Sequence, residues 1–362
     1  MSCKKAGTLI SKGEISDVLD GYDTSDLVVA TLGSHSALQI LRGAKEEGFK
    51  TLVIANSFQM GVYKRFGAAD KYLEIERYKS LLDEKFQEKL IKKNVVLIPH
   101  GSFVEYVGAK NIQEQLRVPV FGNREVLSWE ASRDKQRELM EEAEIDMPLK
   151  FSDPKNIDRL VMVKFPGAKG GKGYFLAKNA EEFNEKIKGV KDGLETYSIQ
   201  EYVIGTLMYP HYFYSPILDR IELLSMDIRH ESNIDGLTRI PERILKGYLV
   251  DPSYVVTGNI PMVARESLLP KIFGMGDSLV SKSRELFSPG MVGPFCIESV
   301  CTSDLRIVAF EYSARIVAGT NLYPEGGVYA KTLWNESMST GRRIAREIKL
   351  ALQKDRLKDV FY

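Results

Sequence analysis

Cysteine is scarce in this 362-residue chain: only Cys3, Cys296 and Cys301 occur, an odd number without C-x-x-C spacing. That argues against a disulfide framework or a thiolate zinc site and fits a reducing cytoplasm, with Cys296 and Cys301 read as small apolar packing residues. A surplus of charge is missing too. Lysine and arginine number 50 against 49 acidic residues, a formal net charge of +1, so no global field draws the chain to nucleic acid or to an anionic membrane. No apolar run reaches the ~18 residues a bilayer span needs, and the opening MSCKKAGTLISKGE lacks the long apolar region of a secretory leader. Repeats and low-complexity tracts are absent as well. The expectation is a soluble cytoplasmic protein with small-molecule partners, no nucleic acid and no membrane. A homo-oligomer and a monomer are equally compatible with the composition.

At roughly ~150 residues per domain, the length suggests two or three domains. Asp26 to Thr31 (DLVVAT) reads as a buried strand that ends in Leu32-Gly33-Ser34-His35-Ser36, and helical periodicity follows from Ala37 to Glu47 before Gly48 stops it. Strand-like runs at Thr51–Asn56, Lys71–Ile75 and Val95–Pro99 then alternate with helix candidates at Val62–Phe66 and Lys79–Lys93. This alternation predicts a doubly wound α/β domain over residues 1–145, with a mainly parallel sheet and ligands at the carboxyl ends of its strands. Gly33-Ser34-His35 and His100-Gly101-Ser102 both lie at such ends. His35 and Ser102, with the neighbouring glycine amides, are therefore candidates to hold a phosphate or another small polar group, against the plainer reading of helix capping or packing. A charged helix expected over Trp129–Glu144 reads as a solvated face, and Met147-Pro148 breaks it, which puts a domain boundary near Asp146.

Val161 to Ala177 (VMVKFPGAKGGKGYFLA) places a lysine, a glycine loop and two strand-like runs side by side. Val161, Met162 and Val163 favour a strand that would aim Lys164 from a fixed backbone. Gly167, Gly170, Gly171 and Gly173 can bring loop amides against an anion, with Lys169 and Lys172 adding positive charge. Gly171 and Lys172 are followed by Gly173 and strand-forming aromatics rather than by Ser or Thr and a helix, so a Walker loop is excluded. G-x-G-x-x-G cannot be laid over these glycines either. What remains is a glycine flap over a triphosphate, or an ordinary glycine-rich hairpin.

Further on, Tyr197–Ile204 (YSIQEYVI) is a strand candidate where Glu201, Tyr202 and Val203 could read an adenine by backbone groups, an acidic side chain accepting from a base amine or a ribose hydroxyl. The HESNI run at His230 to Ile234 is not H-E-x-x-H, so a zinc site has no support there. Phe295–Val300 and Arg306–Tyr312 flank the polar turn Thr302-Ser303-Asp304 and predict a hairpin. With the turn near Ser303 and Asp304, Glu298 and Glu311 become diagonal neighbours on one face, roughly 7 to 8 Å apart. Two such carboxylates suit one hard cation, Mg²⁺ or Mn²⁺, held together with phosphate oxygens. A one-residue slip would send them to opposite faces instead.

The runs VMVKFPGAKGGKGYF, IQEYVIG, FCIES and FEYSAR follow one another in the order and spacing of an ATP-grasp enzyme. Together with TLGSHSALQI, PHGSF, ESNIDG, TGNIP and SARIVAGTN, they make nearly the whole chain resemble the archaeal formate-dependent 5-formaminoimidazole-4-carboxamide ribonucleotide synthetase family. The resemblance implies an ATP-grasp small subdomain over 146–204 and a large domain over 205–362, both built on antiparallel sheets. It implies a ligase that joins formate to the amine of 5-aminoimidazole-4-carboxamide ribonucleotide (AICAR) at the expense of ATP in purine biosynthesis. His35, Ser102 and Asn259 match positions that contact the ribonucleotide. Lys164, Gly170, Gly171, Lys172, Gly173, Glu201, Tyr202, Val203 and Glu231 match the ATP site, Glu298 and Glu311 match the metal site, and Arg315 joins Lys164 on the triphosphate. One departure stands out: Glu311 is followed by Tyr312 and Ser313, whereas many ATP-grasp enzymes have Glu-x-Asn there. Either Asn321 supplies the missing amide, and it is added to the substrate-facing set, or one metal site is weaker, which leaves the metal stoichiometry open. Two alternatives stay open, a sister ligase for another small carboxylate and a nucleotide-binding regulatory paralogue without turnover.

Overall fold

The computed structural model describes residues 9–169, 172–190, 196–246 and 253–362, and within these no side chain for 166–172. Three sheets organise the described residues. The first contains β1 (Val28–Leu32), β2 (Lys50–Ala55), β3 (Lys71–Glu74) and β4 (Val95–Leu97), all parallel, in the order β3-β2-β1-β4. Every residue of β1 is buried, because the strand has an apolar environment on both faces. Val29 packs with Ile40, Ile344 and Phe361, whereas Val28, Ala30 and Leu32 pack with Phe103, Ile112 and Val120. Such a strand needs no polar alternation, which is why its sequence reads as one apolar run.

The second sheet holds β5 (Lys150–Phe151), β6 (Val161–Lys169), β7 (Lys172–Ala177) and β8 (Ser198–Glu201), antiparallel in the order β5-β8-β6-β7. The third is antiparallel as well: β9 (Thr206–Ser215), β10 (Arg220–Asn233), β11 (Tyr254–Pro261), β12 (Gly293–Cys301) and β13 (Ile307–Ser313), in the order β11-β10-β9-β12-β13. The helix Leu269–Leu286 covers one face of this sheet, where the Tyr212 hydroxyl donates to Ile272 O at 2.7 Å.

Local chemistry explains where the sequence expectations shift. The single helix expected over Trp129–Glu144 is two, Arg124–Glu130 and Arg133–Glu142, because Ser132 caps the second by accepting from the Lys135 N–H. The stretch from Lys79 to Lys93 likewise divides into a 3₁₀ turn, Tyr78–Leu82, and a helix, Glu84–Ile91.

The chain then returns to its beginning. Helix Thr340–Gln353 lies on helix Ala37–Glu46, and the Gly341 N–H donates to Gln39 Oε1 at 2.8 Å. Arg342 and Arg346 both reach Glu47 at 2.7 Å. On its other side the helix sends Arg343, wholly buried, to Glu222 and Glu347 at 2.8 Å, with its guanidinium 4.0 Å from the Phe213 ring. Breaking a pair buried in this way costs roughly 3–5 kcal/mol, since the partner is left uncompensated. The first and third sheets are thus held in fixed relation. A backbone bridge between His100 and Ile316 joins them again at the carboxyl end of β4. Among the described residues, no helix is long and apolar enough to cross a membrane.

Candidate functional site

The site begins on the hairpin β12–β13. Cys301 pairs with Ile307, Val300 with Val308 and Ser299 with Ala309, a register that would place Phe310 opposite Glu298 and turn Glu311 to the other face. A bulge between Glu298 and Ser299 absorbs Phe310 and makes Glu298 and Glu311 direct partners. They are therefore closer than the diagonal placement expected from the sequence, with Cβ atoms of such pairs ~4.5–5.5 Å apart. Glu298 is 3% exposed and bonded to the Arg229 guanidinium, which also stacks 4.5 Å from the Tyr209 ring. Glu311 is open to solvent from the cleft. Crowding by protein, then the like charges of Glu298 and Glu130, outweigh Arg229 and Arg315 and raise its carboxyl to about 7. Two adjacent carboxylates with one held this high suit a divalent cation. No cluster of three His, Cys, Asp or Glu capable of holding a metal exists among the described residues, so the remaining oxygens must come from a ligand or water.

Arg315 stands just beyond β13. Its guanidinium meets Glu130 at 3.2 Å, and the second Glu130 oxygen accepts the Ala314 N–H at 2.8 Å. The Arg315 Nε is buried and has no partner among the described residues, an orphan donor. Glu130 was not foreseen: its helix looks solvated in sequence, yet this carboxylate is turned inward and burial raises its pKa.

The first sheet closes on the same point. A Cβ added to Gly101 would lie 2.8 Å from His35 Nε2 and 3.3 Å from Arg315 Cζ, so only glycine lets these two meet there. His35 itself has φ of 53°, a left-handed backbone that costs about 1–3 kcal/mol for a residue with a side chain. Its ring stacks on His100 at 5.3 Å, and its Nδ1 lies 2.7 Å from Ser36 Oγ. Though solvent reaches it, surrounding protein, then the neighbouring His100 ring and the charges of Arg315 and Arg229 push its imidazole down to about 3. His35 is therefore a neutral ring at neutral pH. His100 is fully buried, bonded to Leu32 O at 2.9 Å and accepting the Phe103 N–H at 3.1 Å, which makes it the cap of helix Gly101–Val107. Ser102 is half-buried in the first turn of that helix.

Asn321 lies beside His35. Its carbonyl accepts from Gln39 Nε2 at 3.1 Å and its NH₂ donates to His35 O at 3.3 Å. It thereby braces the strained His35, and its carbonyl oxygen keeps one lone pair beyond the bond from Gln39.

The second sheet brings Lys164. Val161, Val163 and Phe165 are buried with Phe183 and Ile199, so alternation along β6 puts Lys164 on the opposite face, across from Tyr174 and Ser198. Burial and then Arg133 lower its pKa, while Glu311 of the third sheet pulls it up. Lys164 and Glu311 thus feel each other across the cleft. The Tyr174 ring lies 6.1 Å from the Tyr254 ring of β11, so the second and third sheets meet at this aromatic pair. Strands β6 and β7 pair as far as Lys169 and Lys172; Gly173 has φ of 76°, whereas Gly170, Gly171 and the Lys172 side chain lie outside the described residues.

The Glu201 carboxylate accepts the Leu149 N–H at 3.2 Å and meets Arg159 at 3.5 Å, fastening β8 to the start of the second sheet. Those two contacts leave part of the carboxylate's acceptor capacity free, beside the backbone of Tyr202 and Val203. Glu231, on a bulge of β10, is half-buried, and burial followed by Asp235 and Glu298 raises its pKa against the pull of Arg229. Asn259 pairs with Arg229 across β10–β11 and donates to Asp227 at 2.6 Å.

A family model described as a domain of unknown function matches residues 176–361, and another described as a protein of unknown function matches 29–151. A protein of Methanothermobacter thermautotrophicus named 5-formaminoimidazole-4-carboxamide-1-(beta)-D-ribofuranosyl 5'-monophosphate synthetase is 49% identical over 358 residues, covering 97% of this chain and 99% of its own. A protein of the same name from Methanocaldococcus jannaschii is 48% identical, with 96% and 98% covered. The crystal structure of an IMP biosynthesis protein from Thermococcus kodakaraensis superposes with a TM-score of 0.73 at 33% identity, over 92% of this chain and 100% of that one. The ADP complex of an N5-carboxyaminoimidazole ribonucleotide synthetase shares the fold, with a TM-score of 0.62 at 13% identity, over 89% of this chain and 76% of that one.

Proposed function

The chain belongs to the family of 5-formaminoimidazole-4-carboxamide ribonucleotide synthetases, ligases of the ATP-grasp fold, and from that premise we propose how its cleft formylates AICAR with formate and ATP in IMP biosynthesis. The observation that carries the reading is the meeting of His35, Gly101 and Arg315 at the edge of the paired carboxylates Glu298 and Glu311. It sets the ribonucleotide end of the first sheet beside the phosphate end of the third.

Formate is a poor acyl donor, because its leaving oxygen is a strong base. A formate oxygen first attacks the γ-phosphorus of ATP, the bond to the ADP oxygen breaks, and formyl phosphate forms. The amine of AICAR then attacks the formyl carbon, loses a proton, and the carbon–oxygen bond to phosphate breaks. Both steps need positioning and neutralisation of spread negative charge more than a covalent nucleophile from the protein. Lys164 supplies positive charge from one side of the cleft and Arg315, with its unpartnered Nε, from the other. Glu298 and Glu311 would hold Mg²⁺ or Mn²⁺, which would supply neutralisation of the phosphate charge. Glu231 and the backbone at Tyr202 and Val203 serve the nucleoside, while His35, Ser102 and Asn259 serve the ribonucleotide. The strands β6 and β7 carry the glycine flap that shields the acyl phosphate from water. The reaction is placed in the cytoplasm, where ATP and the ribonucleotide are found.

The test is isotopic. With ¹⁸O-formate, ATP, Mg²⁺ and AICAR, one labelled oxygen should enter inorganic phosphate and one the formamide. Formylated product accompanied by unlabelled phosphate would reject the acyl-phosphate route.

A further inference from the structure

Beneath the cleft runs a line of buried polar groups that neither triphosphate nor metal uses. His211 of β9 is 1% exposed and spans two partners, with Nδ1 2.8 Å from Ser225 Oγ and Nε2 2.7 Å from Asp227 Oδ1. Asp227 is 2% exposed, and its other oxygen accepts from Asn259 Nδ2 at 2.6 Å. Serine, histidine and aspartate in such a row suggest a hydrolytic triad, but Ser225 is 3% exposed and lies beneath Gly327, where an added Cβ would come within 2.6 Å of Ser225 Cβ. A substrate carbonyl has no access to it. The line runs outward instead, to Asn259, which is half-buried at the cleft.

An ionised carboxylate accepts hydrogen bonds and cannot donate them. Asp227 takes one donor from His211 and one from Asn259, so the Asn259 amide has to turn its NH₂ inward and its carbonyl oxygen away from Asp227. That oxygen has no partner among the described residues. The same carboxylate touches the loop that braces His35: an added Cβ on Gly319 would lie 2.2 Å from Asp227 Oδ1, and Asn321, two residues on, donates to His35 O. Asp227 thereby supports two of the residues assigned to the ribonucleotide.

We infer that Asp227, held by His211, is a positioning residue that fixes the Asn259 carbonyl oxygen toward the ribonucleotide, so that Asn259 recognises an N–H or O–H donor of that substrate. This rests on the assignment of Asn259 to the ribonucleotide under the proposed function. The donors available on AICAR are its amine, its carboxamide NH₂ and its ribose hydroxyls. An acceptor alone cannot discriminate for a group that lacks a proton, so the amide's orientation is itself the specificity element.

In Asp227→Asn the carboxylate that only accepts is lost, so the Asn259 amide is no longer held with its NH₂ inward and its carbonyl oxygen outward. Titration calorimetry on the full chain, with AICAR and ATP titrated separately, reads the consequence. Asp227→Asn and Asn259→Ala should each weaken AICAR at least tenfold and leave ATP affinity within twofold, and the double variant should be no weaker than Asn259→Ala alone. Losses that multiply in the double variant overturn the inference while leaving the substrate reading intact. Absence of AICAR binding to the unaltered protein overturns both. A second measurement needs no change at Asp227: among analogues each lacking one donor, one should bind the unaltered protein at least tenfold more weakly than AICAR does, yet bind Asn259→Ala as AICAR does. Equal losses in the two proteins for every analogue would overturn the inference even if Asp227→Asn does not fold.

Discussion

Replacing Glu311 by Gln should stabilise the protein without metal and abolish its turnover. In the folded chain the Glu311 carboxyl is raised from 4.5 to about 7 by crowding and then by Glu298. A raised acid favours the folded state while it keeps its proton, so its contribution is fully present below pH ~4.5 and is lost as pH rises through about 7. At ~1.4 kcal/mol per pH unit the unscreened penalty above pH 7 would be about 3 kcal/mol. Glu311 is reached by cleft water, so screening reduces this to about 1 kcal/mol. In metal-free buffer at pH 8, Glu311→Gln should then melt roughly 1–2 °C above the unaltered protein, and the two should converge at pH 5. Taking the difference between the two proteins cancels His35 and His100, whose depressed values, about 3 and about 4, make them stabilise in the opposite sense as pH rises to their unfolded range. With Mg²⁺ and ATP added the order should reverse, because only the unaltered protein keeps both oxygen ligands. A Gln variant that melts at or below the unaltered protein at pH 8 without metal would show that the two carboxylates are not in conflict, and the argument for a cation between them would fail.

Lys164→Met should lower ATP-dependent efficiency at least tenfold with the fold preserved, since a charge-assisted bond to phosphate contributes roughly 1.5–3 kcal/mol; steady-state kinetics against ATP check this, and unaltered kinetics would remove Lys164 from the site. His35→Ala should spare ATP affinity and weaken AICAR, because the residue sits on the first sheet while Lys164 sits on the second; calorimetry showing equal loss of both ligands would contradict that division.

The first sheet was legible because β1 is buried on both faces, so its apolar run and the glycine turn after it stand out in sequence. Lys164 was legible for a related reason: strand alternation with Val161, Val163 and Phe165 leaves one direction for its side chain. The pairing of Glu298 with Glu311 was anticipated, but its register was not. Counting back from a turn assumes an unbroken ladder, and Phe310 breaks it with a bulge that no local residue pattern announces. Glu130 looked like one more solvated charge, since its inward turn depends on Ala314 and Arg315, distant in sequence. The same distance hid the tie between Gln39 and Asn321 and the row from Ser225 to Asn259. The left-handed backbone of His35 follows from tertiary bracing, which propensity does not encode.

The return of helix Thr340–Gln353 to the first sheet bears on how the molecule is made. Ile344, Ile348 and Phe361 share a core with Ile15, Leu19 and Val29, although more than 300 residues separate them along the chain. During synthesis, one face of the first sheet therefore stays uncovered until more than 300 further residues have been translated, so this unit cannot finish folding ahead of the sheets that follow it. Closing so long a loop late favours a slow last step and a partly folded species with Val29 and its neighbours exposed to other chains. If His35, at the end of β1, captures the ribonucleotide as proposed, that capture becomes competent only after this final docking.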